Sequence, residues 1–181
     1  MVFSLDPTTH HYKRFAVLLV VSYQDQTNQN TLNHFFSLDI MHLVSLNLTD
    51  LLISLWHGTI TGDKEDQPLW DWDVLKGDVW TQHEDVASMR PYHPGSFGQP
   101  PQNPVKKINS GYKAWEFIMY IFALGPGLFY NVLPKKYWQN LCLLVSSIRI
   151  LHQFKISAKQ LQRAHQFLLT FVLDFEKLYY Q

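Results

Sequence analysis

Two ionisable residues interrupt an apolar stretch in SLDIMHLVSLN (37–47): Asp39 and His42. Three residues apart on a helix, they share a face. There they could bind one divalent cation, or Asp39 could hold His42 in a single tautomer. The plainer alternative is a helix N-cap, with the Asp39 carboxylate accepting from a backbone N–H near His42, and local spacing favours it. Glu116 raises the same question in YKAWEFIMY, early in a largely apolar helix. A carboxylate among Trp115, Phe117 and Ile118 needs a partner, because burying it unpaired is costly. Lys113, three residues earlier, is the simplest one.

Other candidates are weaker. Asp71 and Asp73 in WDWD could exchange protons or bind metal as a pair, but two residues apart on a helix they do not face the same way. Asp71 suits a helix start instead, through the helix dipole. His10, His11, His57, His83, His93, His152 and His165 show no metal-ligand spacing. Cys142 is the single cysteine, which excludes an intrachain disulfide and a cysteine-based zinc site. Within LCLLV it reads as a small core residue, in keeping with the reducing cytosol or nucleus. No GxxxxGK[ST], HExxH or GxSxG pattern occurs, which removes the commonest P-loop, zincin and hydrolase readings.

The elements that would carry these residues are mostly helical. The apolar run 15–21 suits a buried strand, and Phe35 and Phe36 could end a second short one. From Ile40 the apolar positions 40, 43, 44, 48, 51, 52 and 55 follow the helical period. Asn47, Thr49 and Asp50 mark a break and restart, and Gly58 a helix end. After a polar loop at 59–68, LWDWDVLKGDVW reads as one or two short helices anchored by Trp70, Trp72 and Trp80. Residues 90–109 hold five prolines and two glycines, a connector without regular structure. A helix is expected to start after Ser110 and stop near Gly125–Pro126. Another follows Pro134, a favoured first-turn residue, with apolar positions 137, 138, 141, 144, 145, 148 and 151. The last opens on a Ser157/Gln160 capping box and carries the stripe Leu161, Ala164, Leu168, Val172, Phe175 and Leu178. These two long helices should pack as a hairpin.

At 181 residues, 46% hydrophobic and 15% aromatic, the composition is that of a globular domain with a core of its own. Net charge is zero, so no global electrostatic argument points to nucleic acid or membrane. The charge is nevertheless split: five Lys/Arg against twelve Asp/Glu in residues 1–100, ten against three in 101–181. The basic half could bind a polyanion, with Lys106, Lys107, Lys135, Lys136, Lys155, Lys159 and Arg163 as the candidate DNA contacts. Solvated helix faces are the plainer reading. The stretch 117–133 carries no charge but is short for a membrane span and is broken by GPG, so a membrane-associated helical protein is the weakest of the three functional readings.

Taken in order, the segments SLDIMHLVSLNLTDLLISLWHGT, WDWDVLKGDVW, INSGYKAWEFIMYIFALGPGLFYNVLPKKYW and ISAKQLQRAHQFLLTFVLDFEKLYYQ resemble one family. They look like the C-terminal part of the catalytic region of CACTA-type (En/Spm-like) DNA transposases, in their fungal form. The resemblance covers roughly residues 33–181 and rests on the ordered set, since no single motif would suffice. It implies an RNase H-like core with a helical insertion, in which three carboxylates hold two Mg²⁺ or Mn²⁺ ions for strand cleavage and transfer. The D-x-M-H string maps onto Asp39 and His42, and Glu116 is the candidate third carboxylate. Asp39 and Glu116 are then the metal ligands, and all three residues the catalytic set. The implied organisation is a poorly matched segment 1–32, a core remnant with helices at 33–89, the connector 90–109 and a helical region 110–181.

The departures matter as much as the match. The segment bearing the first acidic residue and the second, the Cys-x-x-Cys pair expected before D-x-M-H, and the region after the LYY helix have no counterpart in this sequence. The resemblance therefore implies a truncated or degenerate transposase-derived protein, nuclear or cytoplasmic, mainly α with one or two short N-terminal strands. It would be catalytically silent alone, hold no metal by itself, and contact DNA weakly. The competing reading is a helical protein-interaction module, forming homo-oligomers through helices 134–180.

Overall fold

The computed structural model describes residues 41–60, 70–82, 99–108 and 110–179. It divides into two compact units, one of residues 40–135 and one of residues 1–39 with 136–181. All regular structure among the described residues is helical, so the mainly α expectation is met there. Both expected strands, at 15–21 and 35–36, lie outside the described residues.

In the 40–135 unit the chain first forms a helical rod of two pitches. A π-helical segment, Met41–Leu48 (π1), passes into α1, Thr49–Trp56. The break expected around Asn47–Asp50 is a change of pitch and not a stop, since Leu48 keeps helical angles of φ −71° and ψ −38°. The buried Thr49 hydroxyl donates to the Val44 carbonyl at 3.2 Å, five residues back, as the wider π turn allows. Gly58 ends α1, as its sequence position suggests. At φ +63° it lets Thr59 N–H reach the Ser54 carbonyl and its own N–H the Leu55 carbonyl, both at 2.9 Å, the Schellman pattern.

The helix expected over WDWDVLKGDVW is confined to α2, Gly77–Gln82. Trp70 and Trp72 are both buried and stack at 5.6 Å, an arrangement that residues two apart on an α-helix do not reach. Their segment is irregular and is pinned by the Leu75 N–H on the Trp56 carbonyl at 2.8 Å. The proline-rich connector also departs from expectation, because it contains a helical turn, α3, Pro104–Lys107. Asn103 caps it, its Oδ1 accepting from Val105 N at 2.9 Å, and Pro104 lies in the first turn, where no N–H is missed.

The second rod runs through the GPG that was expected to end it: α4 (Ala114–Phe117), π2 (Ile118–Leu124) and α5 (Gly125–Leu128). The ladder changes pitch just before Pro126, which has no N–H to lose from it. The rod stops instead at Leu128, and Asn131 in the turn that follows takes φ +61°, a conformation that asparagine tolerates. Trp56, Tyr120 and Phe129 are each wholly buried at the centre of this unit. Phe129 tilts against Trp56 at 4.8 Å and meets Tyr120 edge-on at 5.7 Å, favourable geometries for aromatic pairs.

The other unit carries the hairpin of α6 (Lys135–Leu151) and α7 (Ala158–Tyr179). The expected α6 stripe is largely the buried one: Tyr137, Leu141, Leu144, Val145 and Ile148. On α7, Ala164 and Leu168 are buried as expected, but Phe171 and Tyr179 take places assigned to Val172 and Leu178. Two contacts fix the antiparallel register. Buried Asn140 donates from Nδ2 to the Phe171 carbonyl at 2.9 Å, and the rings of Tyr137 and Tyr179 lie 5.0 Å apart. The capping box forms as read, with Ser157 Oγ accepting from Gln160 N at 3.2 Å and Gln160 Oε1 accepting from Ser157 N at 2.8 Å. Ser157→Ala should therefore cost about 1 kcal/mol of stability in urea denaturation, and Ser157→Asp much less, since aspartate caps as well as serine.

Candidate functional site

Of the expected catalytic set, Asp39 lies outside the described residues, and so does the side chain of His42. The backbone of His42 belongs to π1, and π1 packs directly against α4, the turn that carries Glu116. Glu116 itself is wholly buried. Its Oε1 accepts from Gln102 N at 2.8 Å. Its Oε2 accepts from Lys113 N at 2.7 Å and from Gln102 Nε2 at 3.3 Å. The partner supplied by Lys113 is thus its backbone N–H. The Lys113 side chain is exposed, and Glu116 has no ion-pair partner among the described residues.

This geometry makes Glu116 a clamp. One oxygen closes the first turn of α4, and both hold the irregular run before α3 against it. Tyr112 completes the arrangement, its hydroxyl donating to the Gln102 carbonyl at 3.2 Å. Burial and the neighbouring Glu116 charge both push the Tyr112 phenol well above its ordinary range, so it stays a proton donor at any ordinary pH. Its ring meets Phe117 edge-on at 4.9 Å. Charge-assisted bonds to a carboxylate are among the stronger protein hydrogen bonds, and three of them account for the burial of Glu116 without a counter-ion.

The candidate DNA contacts are divided between the two units. Lys106, Lys107 and Lys135 belong to the 40–135 unit, and Lys136, Lys155, Lys159 and Arg163 to the other. All seven are exposed. Within the hairpin, Lys136 stands at the open end of α6, whereas Lys155, Lys159 and Arg163 cluster at the closed end, about 25 Å away along the helix. Lys155 precedes the Ser157 cap and so is not on the same helix as the other two.

A second cluster escaped sequence reasoning. Asp73 packs its carboxylate against the Cα of Gly58, leaving no room for a side chain there. Its Oδ2 accepts from Lys76 Nζ, while Oδ1 is buried and has no hydrogen-bond partner among the described residues. Trp70 Nε1 is buried in the same condition. His57, next to Gly58, lies half-buried with its ring edge-on to Trp80 at 4.3 Å. Nothing in the spacing of H57 and D73 announces a pair, because an irregular segment brings them together. The usable signals were local: a His-Gly helix end, and an aspartate directly after a buried tryptophan.

Burial lowers the pKa of His57 below its ordinary 6.5, more than the nearby Asp73 charge raises it, and Lys76 adds to the lowering. The folded protein therefore binds fewer protons at this site than the unfolded chain once pH falls through 6.5. Stability rises with pH there, so acidification below 6.5 should weaken folding until the folded-state pKa is passed. His57→Gln should flatten this slope in stability measurements between pH 7 and 5, while leaving other contributions in place.

Among the described residues no three His, Cys, Asp or Glu side chains are grouped to hold a metal, and no helix is long and apolar enough to cross a membrane. Within the uncharged stretch 117–133, Phe117, Tyr120, Ile121, Phe122, Phe129 and Leu133 are buried in the fold. Cys142 is partly buried, and burial raises its thiol pKa against the smaller lowering by Arg149. No protein-family model, no curated protein and no solved structure matches the chain.

Proposed function

We propose that this chain derives from the catalytic region of a CACTA-type transposase and supplies helical framework, with no strand-transfer chemistry of its own. The ordered motifs from D-x-M-H to the LYY-ending helix support the ancestry. The observation that carries the functional half is Glu116: both of its oxygens are engaged by protein donors in a fully buried position. A metal ligand needs a lone pair aimed at an open coordination site. In this reading the first rod belongs to the remnant of an RNase H-like core, and the second rod and the hairpin to the helical region that follows it. Mg²⁺ or Mn²⁺ was the cofactor of the ancestor, and the exposed lysines keep at most a weak, salt-sensitive affinity for DNA.

The test is to incubate the purified chain with supercoiled DNA and Mn²⁺, and to titrate Mn²⁺ by calorimetry. No cleavage, and no heat that depends on Glu116, is the expected result. Metal-dependent nicking that disappears in Glu116→Gln, with the fold intact by circular dichroism, would overturn it. A second reading, self-association through helices 134–180, is favoured by Leu173, an apolar side chain 56% exposed on α7. A mass that stays monomeric in sedimentation up to high concentration would dismiss it.

A further inference from the structure

The connection of the hairpin, residues 152–157, is exposed along its whole length. At its apex Phe154 is 98% exposed, and Ile156 is 37% exposed. Single exposed apolar residues are ordinary, but an aromatic ring wholly in water on a protruding tip with a second apolar neighbour calls for a partner. The tip is also held in shape. His152 N–H reaches the Ile148 carbonyl at 3.0 Å and Gln153 N–H the Ile150 carbonyl at 3.2 Å, so α6 closes normally. Gln160 Nε2 donates across the turn to Gln153 Oε1 at 3.0 Å, and the Ser157 capping box closes the other side. Phe154, Lys155 and Ile156 remain as the outward-facing part.

Along the chain on either side of this apex the charge is of one sign. No aspartate or glutamate occurs between Glu116 and Asp174. Lys155 is in the tip itself, Lys159 and Arg163 follow on consecutive turns of α7, and all three are exposed. The first acid on α7, Asp174, stands eleven residues beyond Arg163, about 16 Å along the helix, and it faces Lys177 at 4.0 Å.

We propose that this tip docks on an anionic phospholipid surface. Phe154 and Ile156 enter the headgroup–acyl boundary, and Lys155, Lys159 and Arg163 lie among the phosphates, the division of labour seen where apolar and basic residues share one interfacial element. Shape favours this partner over a single nucleic acid strand. A strand is bound in a basic groove with several aromatic platforms, whereas this turn carries a single aromatic ring, 98% exposed, which a fluid surface can receive. Ile156 has no π-face on which a base could stack. The proposal concerns contact and not spanning, and it does not depend on the ancestry argued above.

The experiment is co-sedimentation of the full chain with phosphatidylcholine vesicles, with and without 30% phosphatidylserine, at low and high salt. Binding to the anionic vesicles only, weakened by salt, is expected. Phe154→Ser should reduce it by about tenfold, and Lys159→Glu by at least fivefold. Both positions are exposed, so circular dichroism should show an unchanged fold. Absence of binding to anionic vesicles, equal binding to neutral ones, or binding indifferent to Phe154→Ser overturns the proposal. So does a single-stranded oligonucleotide that binds in a Phe154-dependent manner while vesicles do not.

Discussion

Gly58→Ala should destabilise the protein by about 2–4 kcal/mol, a large share of the stability of a domain this size. Two independent causes add. Gly58 holds φ +63°, a conformation that costs an L-residue about 1 kcal/mol or more. A methyl group there would also overlap the Asp73 carboxylate. Asp73 cannot swing away cheaply, because its side chain is short, only 6% exposed and engaged with Lys76. The two causes can be separated. In Gly58→Ala/Asp73→Ala the overlap disappears and the backbone penalty stays, so the double variant should recover about 1–2 kcal/mol relative to additivity. Urea denaturation of the four proteins in the cycle measures this directly. Additive single effects would mean that the overlap is relieved by some other movement.

Glu116→Gln should cost about 2–3 kcal/mol, despite being isosteric. Both carboxylate oxygens act as acceptors, Oε1 toward Gln102 N and Oε2 toward Lys113 N and Gln102 Nε2. An amide has one accepting oxygen. Whichever way it is turned, its NH₂ confronts a backbone N–H in a site with no exposed surface, leaving two donors face to face. Glu116→Ala should be at least as damaging, since it orphans all the donors and opens a cavity. The measurement is denaturant unfolding in the presence of EDTA. A loss of stability there belongs to the clamp alone, because no metal can contribute, and a Glu116→Gln variant as stable as the parent in EDTA would contradict the clamp.

What the sequence conveyed well was local. Ser157 with Gln160, Gly58 after an apolar helix, and the stripe from Tyr137 to Ile148 each depend on neighbours within about two turns, and each appears as read. The failures share a different cause. A π pitch uses the same apolar residues as an α pitch, so π1 and π2 leave no trace in the periodicity, and GPG looked like a stop when it lies inside a rod. Asp73 reaches Gly58 through an irregular segment that periodicity does not describe. Glu116 was singled out correctly as a buried carboxylate needing a partner. The partner proved to be a backbone N–H of Lys113 together with Gln102, fourteen residues away, and a main-chain donor is invisible in a list of side chains.

The clamp at Glu116 has a bearing on the order in which the chain assembles. It joins positions only fourteen residues apart, and the closure of so short a loop costs little entropy and takes well under a microsecond. The hairpin of α6 and α7 is local in the same sense. Contacts of this kind raise folding rates, because their reward arrives before long-range ordering must be met. The segment 99–117 is thus suited to act as an early nucleus onto which π1 and α1 condense, and the kinetic trace of Glu116→Gln should lie mainly in slower folding, with unfolding little faster.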